Sequence, residues 1–345
     1  EIRKLMFRTF NRRDEVPVHN PEIPTRINYK LLEAWRFAAG DPDVFVPRWF
    51  SDGAPAGISK PIEVCGVFPA VEEPEAYPTL DITDEHQFCN YAGVEESEEA
   101  WQEISALEKQ GLLASFASYD ELVRFIKCRP NVSRVGVLEK TLPNGKVKRR
   151  VIVDSNQSGV SLATAKPERV VLPRLLDVIN NTLYQMSLNF SPRMSTEYFV
   201  IDFSNAFFQV PLHPEERKHF CIKLRGRWFL FKVMAQGAAA SPLSWGRVAA
   251  LVSRLTQSMF HPSELLLQTF VDDPIGSVTG SERQRNYAIA AIVLVWMALG
   301  FPLAFKKGQR GPEVVWIGAT LRVTSSGVEA SIKKSILDDL RVQVS

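Results

Sequence analysis

Two short runs, Ile201 to Phe208 and Gln268 to Asp273, set three acidic side chains, Asp202, Asp272 and Asp273, at the ends of strand-like apolar segments. No other feature narrows what the chain can be so far. A carboxylate held against an apolar wall is costly unless a positive partner sits beside it. For three carboxylates the fitting partner is a pair of Mg²⁺ ions, hard cations that take oxygen ligands, with Mn²⁺ as a substitute. Two such ions about 4 Å apart activate an attacking oxygen and steady a leaving one in phosphoryl transfer. Taken singly, an aspartate at a strand end is an ordinary turn former, so the neighbourhood has to decide.

At 345 residues the chain can bury a large core but is long for one unit, and two or three subdomains are expected. There is no apolar run of eighteen residues and no charged-apolar-small leader, which excludes a membrane span and a secreted protein as readings. Cys65, Cys89, Cys128 and Cys221 are far apart and lack zinc spacing, which fits reduced thiols in the cytoplasm or nucleus. The chain starts at Glu1 and stops at Ser345 inside an amphipathic pattern, as a piece of a longer protein would. Its net charge of +2 hides an asymmetry: Glu72 to Lys109 holds twelve carboxylates against one lysine, leaving an excess of thirteen positive charges elsewhere. Such an excess attracts polyanions.

Residues 1–105, rich in Pro, Arg and Glu, read as a partly ordered N-terminal extension, acidic over 72–108. Within it Ile27 to Ala39 has helical periodicity, while Trp49, Phe50 and the Gly53 to Gly57 cluster read as a loop with aromatic anchors. Helices are expected from Ser97 to Gly111 and from Ser118 through Phe125. The period then changes to two, and Val135 to Lys140 and Lys146 to Asp154 flank Pro143-Asn144-Gly145 as a hairpin. Further on come a helix from Leu172 to Leu183, a buried strand from Tyr198 to Phe203 and a hairpin from Phe220 to Val233. A helix from Ser241 to Leu255 follows. Leu265 to Val271 and Ile275 to Val278 form a hairpin turning at Asp272-Asp273, with Pro274 starting its return strand; a helix from Ala288 to Leu299 and a strand from Val314 to Val323 complete the pattern. Strands and helices alternate without βαβ regularity, which makes the class α+β.

Asp202 and Asp272 are placed to converge on the ions, with the Phe203 carbonyl able to complete a coordination shell. The loop Gln236-Gly237-Ala238-Ala239-Ala240-Ser241-Pro242 joins a glycine that permits close backbone approach to small side chains and a Ser-Pro helix start, and would fit beneath a base pair or sugar.

These residues resemble the reverse transcriptase family of retroelements. The resemblance rests on six ordered motifs across about 105–335: Asp202 followed by Ala206-Phe207-Phe208; the Gln236 to Pro242 loop; Phe270-Val271-Asp272-Asp273; Leu299-Gly300-Phe301 with Lys306-Lys307; Trp316-Ile317-Gly318; and the basic hairpin from Lys140 to Arg150. It implies a right-hand polymerase fold, with fingers and an antiparallel palm sheet over 106–330, a thumb truncated or absent, and 331–345 as the start of a thumb or connector. By the same resemblance Asp202, Asp272, Asp273 and the Phe203 carbonyl would bind metal. Lys307 would give a proton to the leaving pyrophosphate. Lys140 and Arg150 would hold the β and γ phosphates, alongside Phe203, Ser204, Asn205, Ala206, Gln236 and Gly237 in the nucleotide pocket, and Phe207 would act as a steric gate against a 2′-hydroxyl. Ser241, Pro242, Trp316, Ile317 and Gly318 would meet primer and template.

The implied activity is RNA-directed DNA polymerisation from a primer 3′-hydroxyl, using deoxynucleoside triphosphates on an RNA or DNA template, in a chain detached from the rest of a polyprotein. Three departures stand out: Phe270 where tyrosine is commoner, Asn205 where many relatives carry aspartate, and Pro274 directly after the acidic pair. None removes a metal ligand. An inactive palm kept as a nucleic-acid-binding or structural module is the competing reading, and an RNA-dependent RNA polymerase shares the acidic logic but not the aromatic gate.

Overall fold

A four-stranded antiparallel sheet carries both acidic runs. In the computed structural model, which describes residues 1–10, 12, 20–72, 88–141, 147–188, 191 and 194–332, the side chains of 140, 141 and 148–150 lie outside the description. The chain opens with helices α1 (Ile2–Thr9), α2 (Tyr29–Ala38), α3 (Val46–Asp52) and α4 (Glu98–Lys109), then β1 (Leu113–Phe116) and α5 (Tyr119–Ile126). Next come the hairpin β2 (Arg134–Thr141) and β3 (Val147–Asp154), the helices α6 (Val160–Ala163) and α7 (Leu175–Leu188), and β4 (Ser195–Val200). The hairpin β5 (Cys221–Leu224) and β6 (Arg227–Phe231) precedes α8 (Ser241–Gln257), β7 (Leu265–Phe270), β8 (Asp273–Gly280) and α9 (Glu282–Leu299). The short strands β9 (Gln309–Gly311), β10 (Glu313–Trp316), β11 (Ala319–Val323) and β12 (Val328–Ile332) follow.

The acidic sheet has the order β7-β8-β4-β9, with every pairing antiparallel. After its first residue β8 is buried throughout, as a central strand covered on both faces must be. Helix α9 covers the sheet. It starts at a capping box, Ser281 with Gln284, and ends at Gly300 in the left-handed region. A side chain at Gly300 would lie 2.2 Å from the Arg26 carbonyl, so only glycine lets the N-terminal segment cross there. Helix α8 buries Leu243, Trp245, Val248, Leu251, Val252 and Leu255 and packs on β7.

The mixed helical and antiparallel architecture is α+β, as expected. Elsewhere the local readings need correction. Trp49 and Phe50 belong to α3, a helix with Pro47 in its first turn, and not to a loop; both are buried, with Phe50 edge-on to Phe301. The first seventy residues share the main core, where Leu31, Leu32, Trp35 and Trp49 join Phe203 and Trp296. A buried Arg247–Asp43 pair, 2.7 Å, ties α8 to this region. The turn of the acidic hairpin is Val271-Asp272, because Asp273 already pairs with Phe270, and Pro274 is the second residue of β8, opposite Thr269. Residues 314–323 are two strands joined at Ile317-Gly318, not one, since Trp316 pairs with Ala319.

The expected Pro143-Asn144-Gly145 turn and 333–345 of the expected thumb start lie outside the described residues, as does 73–87 of the acidic stretch; 331–332 are the end of β12. Among the described residues no helix is long and apolar enough to cross a membrane.

Candidate active site

Strand β4 delivers Asp202 to the tip of the β7–β8 hairpin. Just past β4 the Phe203 amide donates to the Asp272 carbonyl at 2.9 Å, which joins the two acidic runs through their backbones. On the other side the Ala304 amide donates to the Asp202 carbonyl and the Ser204 amide to the Pro302 carbonyl, both at 2.9 Å. The Asp202–Ser204 stretch is therefore held between the hairpin tip and the segment leading to Lys307. Asn205 then takes a left-handed conformation, φ 53°, which turns the chain into the short helix Ala206–Gln209. Asparagine adopts that conformation more readily than most residues.

Three successive carbonyls of the tip are each held by a donor from a different element. The Trp245 indole of α8 donates to Val271 at 2.8 Å, the Phe203 amide to Asp272, and the Trp316 indole of β10 to Asp273 at 2.9 Å. Both tryptophans are buried. Beneath them the Phe203 ring fills the space between Trp245, Trp296 and Phe301, with centroids 4.9 to 5.6 Å apart.

The electrostatics follow from this crowding. Lys307 places its ammonium 2.5 Å from Oδ2 of Asp202. Asp273 has one buried oxygen, Oδ1, without a hydrogen-bond partner. Burial, and then the charges of Asp202 and Asp272, push its carboxyl up to about 7, with Lys307 pulling the other way. Of the three carboxylates it is Asp273 whose charged form its surroundings disfavour.

Among the described residues no three His, Cys, Asp or Glu side chains cluster closely enough to hold an ion unaided. The oxygen-only donor set still fits Mg²⁺, which usually takes one or two carboxylates and completes its shell with water and substrate phosphates.

The expected nucleotide loop packs against the β2–β3 hairpin. Val153 donates its amide to the Gln236 carbonyl at 3.2 Å, and Ser155 its hydroxyl to the Gly237 carbonyl at 2.7 Å. Gly237 has φ +98°, and a Cβ there would lie 2.1 Å from the Val153 carbonyl oxygen. The close approach anticipated for this glycine is thus made to the protein's own strand. Beside it opens a cleft of about 930 Å³ lined by Tyr91, Gly136, Leu138, Ile152, Asp154 and Gly237. The Tyr91 hydroxyl donates to Asp154 across this cleft, a contact no motif announced.

The remaining expected residues divide by exposure. Phe207 is half-buried at the edge of the core, Asn205 is exposed, and Ala206 is buried. Ser241 is buried, its hydroxyl donating to the Ala235 carbonyl, and Trp316 is buried, so neither side chain is open to primer or template; Pro242 and Ile317 are the exposed neighbours. Gly318 shares the left-handed turn with Ile317. Lys140 and Arg150 stand opposite Lys148 and Leu138 in the hairpin register, and their side chains are outside the described residues.

An antiparallel sheet bearing aspartates from two strands, beside a glycine-held cleft, is the architecture of an α+β domain built around an acidic site. Residues 156–321, just under half of the chain, match the family model described as reverse transcriptase (RNA-dependent DNA polymerase), which supports a domain of that kind there. The Gag-Pol polyprotein of Walleye dermal sarcoma virus is 32% identical over 151 residues, which cover 43% of this chain and 8% of that polyprotein. The chain thus spans a small part of that relative. The crystal structure of Prototype Foamy Virus Protease-Reverse Transcriptase aligns over 75% of this chain and 30% of that one, with 16% identity and a TM-score of 0.47.

Proposed function

We propose that the chain is an RNA-directed DNA polymerase that extends a primer 3′-hydroxyl by two-metal phosphoryl transfer. One observation carries the reading: Asp202 and Asp272 arrive from distant parts of the sequence and are joined at 2.9 Å through the Phe203 amide, with the unpartnered Asp273 oxygen beside them. On this reading the β7-β8-β4-β9 sheet with α8 and α9 is the palm, and the β2–β3 hairpin and the β1-β6-β5 sheet are the fingers of a unit over 106–330. The described residues of 1–105 form an extension packed onto it, and further polyprotein domains lie elsewhere.

Asp202, Asp272 and the Phe203 carbonyl would hold two Mg²⁺ ions, or Mn²⁺, with Asp273 as an outer ligand. When bound, these would lower the cost of charge on the attacking and leaving oxygens. The chain's own groups do the rest. Its backbone ties fix the carboxylates so that no reorganisation is needed as charge develops. Lys307 pairs with Asp202 and carries a proton at Nζ that can pass to the pyrophosphate leaving oxygen. Lys140 supplies a point charge and Arg150 a planar fork for the β and γ phosphates. Gln236, Gly237, Ser204, Asn205 and Ala206 line the nucleotide pocket, and the half-buried Phe207 ring takes the volume a 2′-hydroxyl would need. Pro242, Ile317 and Gly318 face primer and template, supported from beneath by Ser241 and Trp316.

The test is primer extension on matched RNA and DNA templates with Mg²⁺ and with chelator. Asp272→Asn should abolish the Mg²⁺-dependent product, and activity retained in that variant would remove the metal assignment. A wild-type chain that binds primer-template but never extends it would turn the assignment to a silent nucleic-acid-binding module.

A further inference from the structure

We infer that Trp245 is a positioning residue whose indole N–H sets the peptide plane from which Asp272 and Asp273 project. The inference rests on the polymerase reading only for what the carboxylates are used for. Val271 sits at φ +55°, in the left-handed region. A β-branched side chain is crowded there. Left to itself the residue would relax toward extended backbone, rotating the Val271–Asp272 peptide and swinging the acidic pair with it. The Trp245 N–H, 2.8 Å from the Val271 carbonyl, fixes that peptide in its strained orientation.

The same indole packs edge-on to Phe203 at 5.5 Å, so one side chain bears on both acid-bearing segments. Its own place is rigid. Two residues on, Arg247 is held by Asp43 through paired hydrogen bonds of 2.7 and 2.9 Å, both side chains buried, and it lies over the Trp49 ring at 4.7 Å. A phenylalanine would fill most of the same volume. What it would lack is the N–H.

The experiment uses the full chain with two replacements: Trp245→Phe, and Trp245 exchanged for β-(3-benzothienyl)alanine, which keeps the indole outline and drops the donor. Mn²⁺ affinity, read by electron paramagnetic resonance without substrate, should weaken about tenfold, the order expected for one lost buried hydrogen bond. In primer extension kcat should fall about 10- to 100-fold with the deoxynucleotide KM little changed, the split expected when the acidic pair is misplaced and the nucleotide still binds. The melting temperature of the benzothienyl protein should stay at the wild-type value. Val271→Gly removes the strain, so losing the N–H in that background, with the benzothienyl ring keeping the packing, should cost less than in the parent.

Wild-type Mn²⁺ affinity and turnover in the benzothienyl protein would overturn the inference, as would full additivity with Val271→Gly. A wild-type chain that binds Mn²⁺ yet extends no primer would defeat the polymerase reading alone, and the affinity ratio would still decide Trp245. A wild-type chain that binds no Mn²⁺ would defeat both.

Discussion

The Lys307 ammonium lies 2.5 Å from Oδ2 of Asp202, so the first aspartate of the site already has a positive partner. The lysine is well exposed while Asp202 is largely covered, which makes the cation the movable member of the pair. An ammonium at that oxygen competes with any ion that would bind there. Lys307→Met should therefore tighten Mn²⁺ binding by a few fold. The same variant should slow nucleotide addition about 100-fold, because the proton it would give the leaving group is gone. Fold stability should change by less than about 1 kcal/mol, the usual worth of an exposed pair. Titration of Mn²⁺ against both proteins, with single-turnover extension, separates the two effects. Weaker Mn²⁺ binding in the variant would show that the lysine organises the carboxylate and does not compete for it.

Acid should loosen the N-terminal connection before it disturbs the acidic sheet. Loop residues 56–60 are gathered by the buried Glu216, whose carboxylate accepts the amides of Ala56, Ile58, Ser59 and Lys60 at 2.9 to 3.3 Å. Next to it the His219 ring lies 2.7 Å from the Asn131 side-chain oxygen at Nδ1 and 2.9 Å from the Ser59 hydroxyl at Nε2, an arrangement suited to a neutral ring. Burial pushes its pKa down to about 4. A depressed histidine contributes stability above its unfolded value near 6.5, and that contribution drains away as pH falls from there to about 4. The shift corresponds to about 3 kcal/mol. Urea unfolding between pH 7 and 4 should show this slope as the difference between wild type and His219→Gln, because Asp273, its carboxyl raised to about 7, adds a slope of opposite sign that both proteins share. A residue of slope will remain from His213, which burial also depresses. An unchanged slope in the variant would move the acid sensitivity elsewhere.

The acidic site was legible because it is written in short local runs: apolar strand, aspartate, small residue, aromatic. Their meeting needed only that β4 and β8 be neighbours, and Asp202 and Asp272 did come together. The supports were not legible. A tryptophan at Trp245 or Trp316 looks the same in sequence whether its N–H is spent on a loop or on an acidic tip, since the acceptor is 26 or 43 residues away. The place of Trp49 and Phe50 in the core was hidden for a related reason: α3 is seven residues long, too short for periodicity to show. Gly237 is an intermediate case, where the need for close approach was readable and the partner, the Val153 carbonyl, was not.

That glycine gives a sharp test of how the nucleotide loop is held. A methyl at position 237 would sit 2.1 Å from the Val153 carbonyl oxygen, well inside contact distance, in a backbone conformation that L side chains rarely adopt. Gly237→Ala must therefore separate the Gln236–Gly237 turn from β3, breaking the Val153 and Ser155 hydrogen bonds that join them. Ser155→Ala breaks only one of these and adds no clash. If the clamp aligns the hairpin over a bound nucleotide, Gly237→Ala should raise the deoxynucleotide KM at least tenfold, and Ser155→Ala by a smaller factor in the same direction. Primer-template affinity should change little in either variant, because the phosphate-facing surface is untouched. The global unfolding energy should fall by about 1–3 kcal/mol for the glycine variant, the range for backbone strain at one residue. Steady-state extension at varied nucleotide, beside a filter-binding measurement of the primer-template, decides the matter. A weakened primer-template complex at unchanged nucleotide KM would place the clamp under the template and not beside the nucleotide.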